Sequence, residues 1–429
     1  MSGIIDRSMP PELKEIREVK IPRAEKVTLD NGVPMYYINS GLQELVKVEL
    51  IFENLEFPAD KPVIPLAVNR LMSEGTSRHS AQELADLIDY YGAYLNSYES
   101  PDYSSLSLFT LNKHLGAALP TVREMLSDAV FPQEEIDVLK RNSLQRLAIE
   151  DEKVSAVARK NFARMCFGNH HPYGHEFIKE DYNTLLRSDL MNYYKSQYIS
   201  GHCTIVASGK IDDAVIRTIN LCLGDAAWSR SNGKVAGFPD VIGEGEMKNY
   251  IPKDGAIQSA IRIGKRSINR SHPDYPGLAV MNTILGGYFG SRLMSNIRED
   301  KGYTYGIGSA NISYRRDGLF FISTEVGADV TEKALTEIYF EIEKLRNDLV
   351  PESELRTVKN YMMGNHLKSI ENAFHISDKF KSIYLSGLDY SYFDRFVRKL
   401  KSIRPDEIRE LAVKYLDPAQ MTELVVGRK

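Results

Sequence analysis

Cysteine is scarce in this chain: only three of its 429 residues are cysteines, and no two of them form a CxxC pair. The three are Cys166, Cys203 and Cys222. An odd, sparse count in a chain of this length argues against a disulfide scaffold and is typical of a protein from a reducing compartment.

The sequence also lacks a long apolar run and a marked excess of one charge. No stretch approaches the roughly 18 apolar residues of a membrane span. The segment up to Lys26 is polar, contains three prolines and has no apolar core of signal-peptide length. A net charge of −4 gives no electrostatic basis for binding nucleic acid or an anionic membrane. We therefore predict a soluble cytoplasmic protein, periplasmic only if a leader has been removed, that binds neither nucleic acid nor membrane.

The sequence does contain the patterning of a large α+β protein. Its 429 residues, 43% of them hydrophobic, predict two or three domains rather than one core. The first half predicts a hairpin turned at Asp30-Asn31-Gly32, then a strand, two helices, two strands, a series of longer helices and a strand. The second helix begins at a capping box, Ser80-Ala81-Gln82-Glu83, and stops at Gly92.

The second half repeats this order, which predicts an internal duplication. The matched positions are Leu66 and Leu278, the helix-ending glycines Gly92 and Gly302, and the strand-ending glycines Gly209 and Gly427, at offsets of 212, 210 and 218 residues. A polar, glycine-containing stretch over 229–245 has the composition of a linker. We therefore predict two α+β domains, 1–228 and 246–429, each a mostly antiparallel sheet packed with helices.

One stretch of the second half, Ile297 to Gly306, predicts a helix end, a glycine stop and the start of a strand. It places a cation, Arg298, and a phenol, Tyr305, near each other on two rigid elements. Such a pair suits binding a carbonyl oxygen that gains negative charge. On composition alone, the simpler interpretation is a solvated arginine near the helix C-terminus and an ordinary strand aromatic. Tyr303 precedes Tyr305 by two residues, so strand alternation predicts that both line one surface.

Three segments together resemble the pitrilysin and mitochondrial-processing-peptidase family. They are the Arg298/Tyr305 pair with its spacing of seven, Leu285-Gly286-Gly287 ahead of Ser291-Arg292-Leu293, and the loop Gly168-Asn169-His170-His171-Pro172-Tyr173-Gly174. The resemblance covers nearly the whole chain. It implies two homologous α+β halves that form one half of a clamshell, with Arg298 and Tyr305 holding the scissile carbonyl and its oxyanion.

The resemblance implies further contacts with substrate. Asn96 falls on the strand whose edge pairs with the peptide in active members of the family. Gly286 and Gly287 lie near the place where the family's non-catalytic processing subunit has a longer, glycine-rich loop that helps to bind substrate. We therefore predict Asn96, Gly286, Gly287 and Tyr303 as substrate-binding residues.

Active members of that family resemble the inverted zincins, which bind zinc through His-x-x-Glu-His on a helix. Aligned on the Gly-Thr pair that follows this helix, the ligand and base positions fall on Leu66, Asn69 and Arg70. Leu66 offers no lone pair, Asn69 is not a base, and Arg70 would repel the cation. No histidine precedes His79, so shifting the alignment does not restore the motif. We predict no cofactor in this chain and zinc in a partner subunit.

A relocated metal site would have to use His170, His171 and His175. The last two have the spacing of helical ligands, but Pro172 and Gly174 between them argue against a helix. The segment also matches the family's Pro-Tyr-Gly loop, which carries no metal. We expect a loop with hydrogen-bonded surface imidazoles instead.

Together these observations predict a non-catalytic subunit of a heterodimeric zinc metalloendopeptidase. A homologous zinc-bearing subunit would complete the site, and unfolded peptides would be the substrates. Three alternatives stay open: a structural protein like the peptidase-derived core subunits of a respiratory cytochrome complex, a peptide-binding module that works alone, and an active enzyme with another metal site. The exposed half-clamshell surface would also allow the isolated chain to form a homodimer.

Overall fold

The structure, a computed structural model, describes residues 19–226, 228, 239, 241, 243 and 247–428. Within these residues the strands form two separate sheets, each packed with helices. This confirms the predicted α+β class. The predicted linker over 229–245 lies almost entirely outside the described residues. Within the described part of the chain, no helix combines the length and apolar character needed to cross a membrane.

The first half is built on a six-stranded sheet. Its strands are β1 (Glu25–Thr28), β2 (Pro34–Asn39), β3 (Leu45–Glu53), β4 (Tyr94–Glu99), β5 (Tyr103–Leu111) and β6 (Cys203–Gly209). Their order across the sheet is β1-β2-β6-β3-β5-β4, and only β2 and β6 run parallel. The turn at Asp30-Asn31-Gly32 joins β1 to β2, as predicted.

The first half contains eight α-helices in the described part of the chain. They are α1 (Ile64–Leu71), α2 (Ala81–Tyr90), α3 (Leu115–Asp128), α4 (Gln133–Asp151), α5 (Val154–Phe167), α6 (Lys179–Asn183), α7 (Arg187–Gln197) and α8 (Asp213–Leu223). The predicted capping box begins α2: the Glu83 N–H donates to the Ser80 hydroxyl, and the Ser80 N–H donates to the Glu83 carboxylate. Leu84 and Ile88 then face the core.

The second half repeats the arrangement with five strands. They are β7 (Lys248–Pro252), β8 (Gln258–Ser267), β9 (Thr304–Ser313), β10 (Gly318–Gly327) and β11 (Thr422–Gly427). Their order is β7-β11-β8-β10-β9, with only β7 and β11 parallel. The first half has the same order and the same single parallel pair in β2-β6-β3-β5-β4, as a duplication requires. Edge strand β4 therefore corresponds to edge strand β9.

Six α-helices accompany the second sheet in the described chain. They are α9 (Tyr275–Leu285), α10 (Thr331–Asn347), α11 (Glu352–Lys368), α12 (Ala373–Tyr384), α13 (Ser391–Ser402) and α14 (Pro405–Tyr415). A π-helix, Met294–Asp300, lies between α9 and β9.

Each sheet is also covered by one helix from the other half. Helix α5 packs on β8 and β11, where Phe162 is buried with Leu424. Helix α12 packs on β2 and β6, where Phe380 is buried with Ile38. These two helices bury apolar side chains between the halves. They couple the two halves, because each sheet is partly covered by a helix of the other half.

The Pro-Tyr-Gly loop adds a polar contact between the halves. The Tyr173 ring stacks on Tyr314 with centroids 4.1 Å apart, and its hydroxyl donates to Asp102. The same carboxylate accepts the N–H of Arg315 at 2.9 Å. The loop thus joins first-half residues to the turn between β9 and β10.

Candidate functional site

Arg298 lies in a helix that ends before Gly302, as the sequence predicts, but this helix is a π-helix rather than an α-helix. A backbone N–H five residues on donates to the Asn296 carbonyl at 3.0 Å, which is the π-helical pattern. The buried Asn296 side chain also donates to two carboxylates of α10, at 3.0 and 2.9 Å. Because π-helical turns are rare and often occur at functional sites, the π-helix supports a functional role for Arg298.

The Arg298 side chain lies beside the strand that carries Tyr305. Its Nε–H donates to the Tyr305 carbonyl at 3.1 Å. The guanidinium lies over the Phe289 ring, 4.7 Å from the centroid, and Nη1 is 3.6 Å from the Glu299 carboxylate. Among the described residues Nη2 has no acceptor, and the side chain is 34% exposed. One edge of the guanidinium is therefore free to bind a ligand oxygen.

Tyr305 lies in a β-bulge at the start of β9. The register with β10 shifts here, so that Tyr305 and Gly306 both oppose Glu325. The Thr304 hydroxyl stabilises the bulge, accepting the Gly306 N–H at 3.1 Å and donating to the Glu325 carbonyl at 2.7 Å. Bulges re-aim side chains, and Tyr305 is 94% exposed. Its phenol therefore faces solvent, and Tyr305 lines a cleft of 380 Å³ over the second sheet.

Tyr303 does not follow the strand alternation expected of it. It precedes β9, and its N–H donates to the Ile297 carbonyl at 3.0 Å. Its ring packs against the apolar core of the second half, while Tyr305 points to solvent. The bulge and the late start of β9 separate the two tyrosines, and a substrate contact for Tyr303 stays a prediction.

The predicted glycine loop is closely packed against β9. The Gly286 carbonyl accepts the Ser309 N–H at 3.0 Å. A Cβ on Gly286 would lie 2.5 Å from the Ser309 nitrogen, and one on Gly287 would lie 2.7 Å from the Thr283 Cα. Glycine is required here so that the loop after α9 can approach its neighbours, and the role of Gly286 and Gly287 in binding substrate stays a prediction.

Asn96 lies on β4, at the edge of the first sheet. It pairs with Ser107 of β5 and its side chain is exposed. Tyr94 and Tyr98, on the same face of the strand, are also exposed. Among the described strands none pairs with the outer edge of β4. That edge is available to an added peptide strand, and peptide binding by Asn96 stays a prediction.

The three positions where family members carry zinc ligands and base lie on α1, and their surroundings do not fit a metal. Leu66 packs against the apolar core of the first half. Asn69 is buried, and its Nδ2 donates to the Ser105 carbonyl and the Tyr198 hydroxyl at 3.3 and 3.2 Å. Arg70 adds a positive charge. An apolar side chain, an amide committed to donation and a cation cannot form a zinc ligand set.

One carboxyl group does lie near this helix. Burial raises the pKa of Glu99, at the end of β4, to about 7, although the Arg70 guanidinium acts in the opposite direction. Among the described residues, the buried hydroxyl of Tyr193, close to Glu99, has no hydrogen-bond partner. A single carboxyl beside an arginine does not bind zinc. Within the described part of the chain, no three His, Cys, Asp or Glu residues are grouped so that they could hold a metal.

The histidines of the Pro-Tyr-Gly loop are hydrogen-bonded, but the prediction that they are surface imidazoles is wrong for two of them. His171 is buried against Phe167, and its Nδ1 accepts the Tyr173 N–H at 3.1 Å. The His175 side chain is 9% exposed and contacts Asp181 at 3.1 Å. Although burial opposes the cation, the hydrogen bonds to Asp181 and to a backbone carbonyl raise the pKa of His175. Only His170 is exposed.

We expect the purified chain to retain far less than one zinc per molecule, because Leu66, Asn69 and Arg70 provide no ligand set. Metal analysis by mass spectrometry after dialysis measures this, and EDTA should leave the melting temperature unchanged. A homologue with the intact His-x-x-Glu-His motif is the positive control. Stoichiometric zinc that survives dialysis would contradict the expectation, and a His175→Ala variant would then test the loop histidines.

Comparisons with known proteins agree with this architecture. The family model described as "Peptidase M16 inactive domain" matches residues 184–362, and the model described as "Insulinase (Peptidase family M16)" matches residues 67–177. A relative from Bacillus subtilis, named "Uncharacterized zinc protease YmxG", is 24% identical over 80% of this chain and 83% of its own length.

Two solved structures show the same fold. A peptidase M16 inactive domain from Pseudomonas fluorescens has a TM-score of 0.83 at 20% identity, covering 95% of this chain and 98% of that one. A chain of complex III2 from Candida albicans has a TM-score of 0.74 at 15% identity, covering 94% and 95%.

The duplicated α+β fold, together with these matches, defines a protein that is similar to zinc proteases. More specifically, the chain belongs to the M16 peptidase family, also called the pitrilysin or insulinase family.

Proposed function

We propose that this protein is the non-catalytic subunit of a heterodimeric zinc metalloendopeptidase. The observation that carries the proposal is the contrast between its two halves. In the second half, Arg298 contacts Tyr305 and leaves the phenol exposed at a cleft. In the first half, Leu66, Asn69 and Arg70 are built into the fold without a metal-binding geometry.

In this role the chain binds and orients a peptide that is hydrolysed at the partner's zinc. The Tyr305 hydroxyl donates a hydrogen bond to the scissile carbonyl oxygen as it gains negative charge, and the Arg298 cation stabilises the same oxygen. The bond from the Arg298 Nε–H to the Tyr305 carbonyl holds the arginine side chain against the strand that carries the phenol. Edge strand β4, which carries Asn96, extends the contact with substrate by main-chain hydrogen bonds.

The proposal is tested by reconstitution. This chain is mixed with a homologue from the same genome that carries His-x-x-Glu-His, and hydrolysis of an unfolded, fluorogenic peptide is followed. We expect little activity from either chain alone and activity that saturates at an equimolar ratio, with one zinc per heterodimer. The matched control is the partner with its motif Glu changed to Gln, which should form the complex without hydrolysis.

A stable equimolar complex that hydrolyses no peptide would overturn this proposal. That outcome would favour a second candidate, a structural role derived from the peptidase fold. The similarity to a chain of complex III2, itself part of a multi-chain assembly, supports that candidate at the level of the fold. If this chain binds unfolded peptides tightly in the absence of a partner, a peptide-binding module becomes the better description.

A further inference from the structure

The cleft beside Tyr305 has one cation in its lining, Arg262 of β8. Its other polar groups include Ser155 from α5, and Ser323 and Glu325 from β10. Ser323 lies directly opposite Arg262 in the strand register, so both side chains project from the same face of the sheet. The cleft therefore presents a guanidinium and hydroxyl donors within one volume of 380 Å³, next to the exposed phenol of Tyr305.

The positive charge of the Arg262 guanidinium is poorly neutralised by the described residues around it. It is half-buried and lies over the Phe321 ring, 5.0 Å from the centroid. Burial, helped by the positive charge of Arg159, lowers its pKa, although an arginine remains ionised. Glu176 and Glu325 act on it only through their charge, and no carboxylate of the described residues forms a hydrogen bond or ion pair with it. Removing a cation from water without a close counter-ion is costly.

The internal duplication supplies a comparison for this position. Arg262 pairs with Leu424 of β11, three residues before the strand-ending Gly427. In the first half, Glu49 pairs with Val206 of β6, three residues before the strand-ending Gly209. Glu49 and Arg262 therefore occupy equivalent places under equivalent crossing helices.

Glu49 and Arg262 differ in the counter-ions around them. Glu49 is buried and has two counter-ions, Lys47 at 2.9 Å and Lys381 of the crossing helix α12 at 2.8 Å. The crossing helix α5 brings Arg159 towards Arg262, which is a like charge. The fold thus neutralises the buried charge of Glu49 with two lysines, whereas Arg262, in the lining of the cleft, has no close counter-ion among the described residues.

We propose that Arg262 is a specificity residue that binds a carboxylate of the peptide held at Tyr305. An arginine that lies over an aromatic ring suits bidentate binding of a carboxylate, and the Ser323 hydroxyl, opposite Arg262 in the strand register, can donate to the same group. The carboxylate comes either from an Asp or Glu side chain near the scissile bond or from a free peptide C-terminus. This inference deepens the proposed function and rests on it.

The test is fluorescence-anisotropy binding of labelled, unfolded peptides of one length to the heterodimer of the full chain with the partner whose motif Glu is changed to Gln, which binds peptide without hydrolysing it. Four peptides separate the two sources of carboxylate: Glu or Gln at a central position, each with a free or an amidated C-terminus. We expect the peptide with the preferred carboxylate to bind about tenfold more tightly than its neutral counterpart, as for one charge-assisted hydrogen-bonded pair. Arg262→Gln should abolish that preference.

Lys265→Gln is the matched control, because it removes one positive charge from the same strand. Lys265 is three residues from Arg262 and so projects from the opposite face, where it contacts Gln420 at 2.8 Å. This variant should keep the preference. Arg262→Lys keeps the positive charge but loses the planar guanidinium. We expect an intermediate preference in this variant, which would show that the changed protein still folds and binds peptide. An unchanged preference in Arg262→Gln, or no binding of any peptide, would overturn the inference.

The reconstituted heterodimer separates this inference from the proposed function. If Arg262→Gln leaves cleavage of a neutral peptide unchanged and removes only the advantage of the acidic one, both proposals stand. Equal cleavage of acidic and neutral peptides by the wild-type pair overturns the role of Arg262 while leaving the subunit assignment intact.

Discussion

Changing Tyr305 to Phe should lower kcat of the reconstituted heterodimer by about 10²–10³, the usual cost of removing one donor to a developing oxyanion. The hydroxyl acts only when the carbonyl oxygen gains charge, so KM should change little. The free energy of unfolding should also change little, because Tyr305 is 94% exposed and its hydroxyl bonds to no described residue. Steady-state kinetics on the variant, with thermal unfolding alongside, measures both quantities.

Tyr90→Phe is the matched control for this prediction. Tyr90 is 82% exposed at the end of α2, so the change deletes the same hydroxyl from an equally solvated ring. It should leave kcat unaltered. A Tyr305→Phe heterodimer with wild-type kcat would remove the phenol from the mechanism and with it the main support for the proposed function.

A variant of Arg298 can separate the effect of its positive charge from the effect of its position beside the Tyr305 strand. Arg298→Lys keeps a cation but loses the Nε–H that bonds to the Tyr305 carbonyl. If that anchor matters, the loss of kcat in Arg298→Lys and in Tyr305→Phe should be strongly non-additive in the double variant, because both changes then disturb one unit. Independent effects would mean that the two groups act separately.

Much of the fold could be predicted because the ends of its helices and strands are determined by nearby residues in the sequence. The Ser80 capping box begins α2 where the sequence places it, and Gly302 adopts a positive φ of 66° after the helix that carries Arg298. The duplication was also visible, since Gly209 and Gly427 end equivalent strands in the two sheets. Such signals act over a few residues and need no tertiary structure.

The details that place Tyr305 could not be predicted in the same way. The π-helix contacts α10 through the Asn296 amide, which donates to two carboxylates more than 40 residues away in sequence, and no local pattern predicts such a contact. The bulge depends on the Thr304 hydroxyl and on the register of β10. Gly306 inside the strand pattern was the one local signal for that bulge.

Contacts between the halves explain the remaining differences. His171 has the sequence context of an exposed loop, but in the fold it lies in a cluster of aromatic rings that includes Tyr314 of the second half. In the sequence pattern, Arg262 likewise has the position of an ordinary polar residue of a strand. Its lack of a close counter-ion becomes visible only when the crossing helices α5 and α12 are compared.

Changing Glu49 to Gln should destabilise the protein by roughly 3–5 kcal/mol, the cost of leaving buried charge without its partner. Glu49 and Lys47 have side chains only 3% and 7% exposed and lie 2.9 Å apart. After the change, Lys47 and Lys381 share only the half-exposed carboxylate of Asp378, at 3.1 and 3.5 Å. Since Lys381 and Asp378 belong to α12, the variant should also loosen the packing of the second half on the first sheet. Urea unfolding monitored by circular dichroism measures the loss.

The pH dependence distinguishes this cause from a simple packing defect. Although burial would raise the pKa of Glu49, Lys381 and Lys47 lower it, so its contribution is present above the unfolded pKa of about 4.3. That contribution is lost as pH falls through the lower folded value, and the stability gap between wild type and Glu49→Gln should narrow only in that acidic range. Glu44→Gln, which breaks an exposed pair with Lys210, is the matched control and should have little effect at any pH. A gap that is constant down to strongly acidic pH would mean that shape, rather than the charge of Glu49, holds α12 on the first sheet.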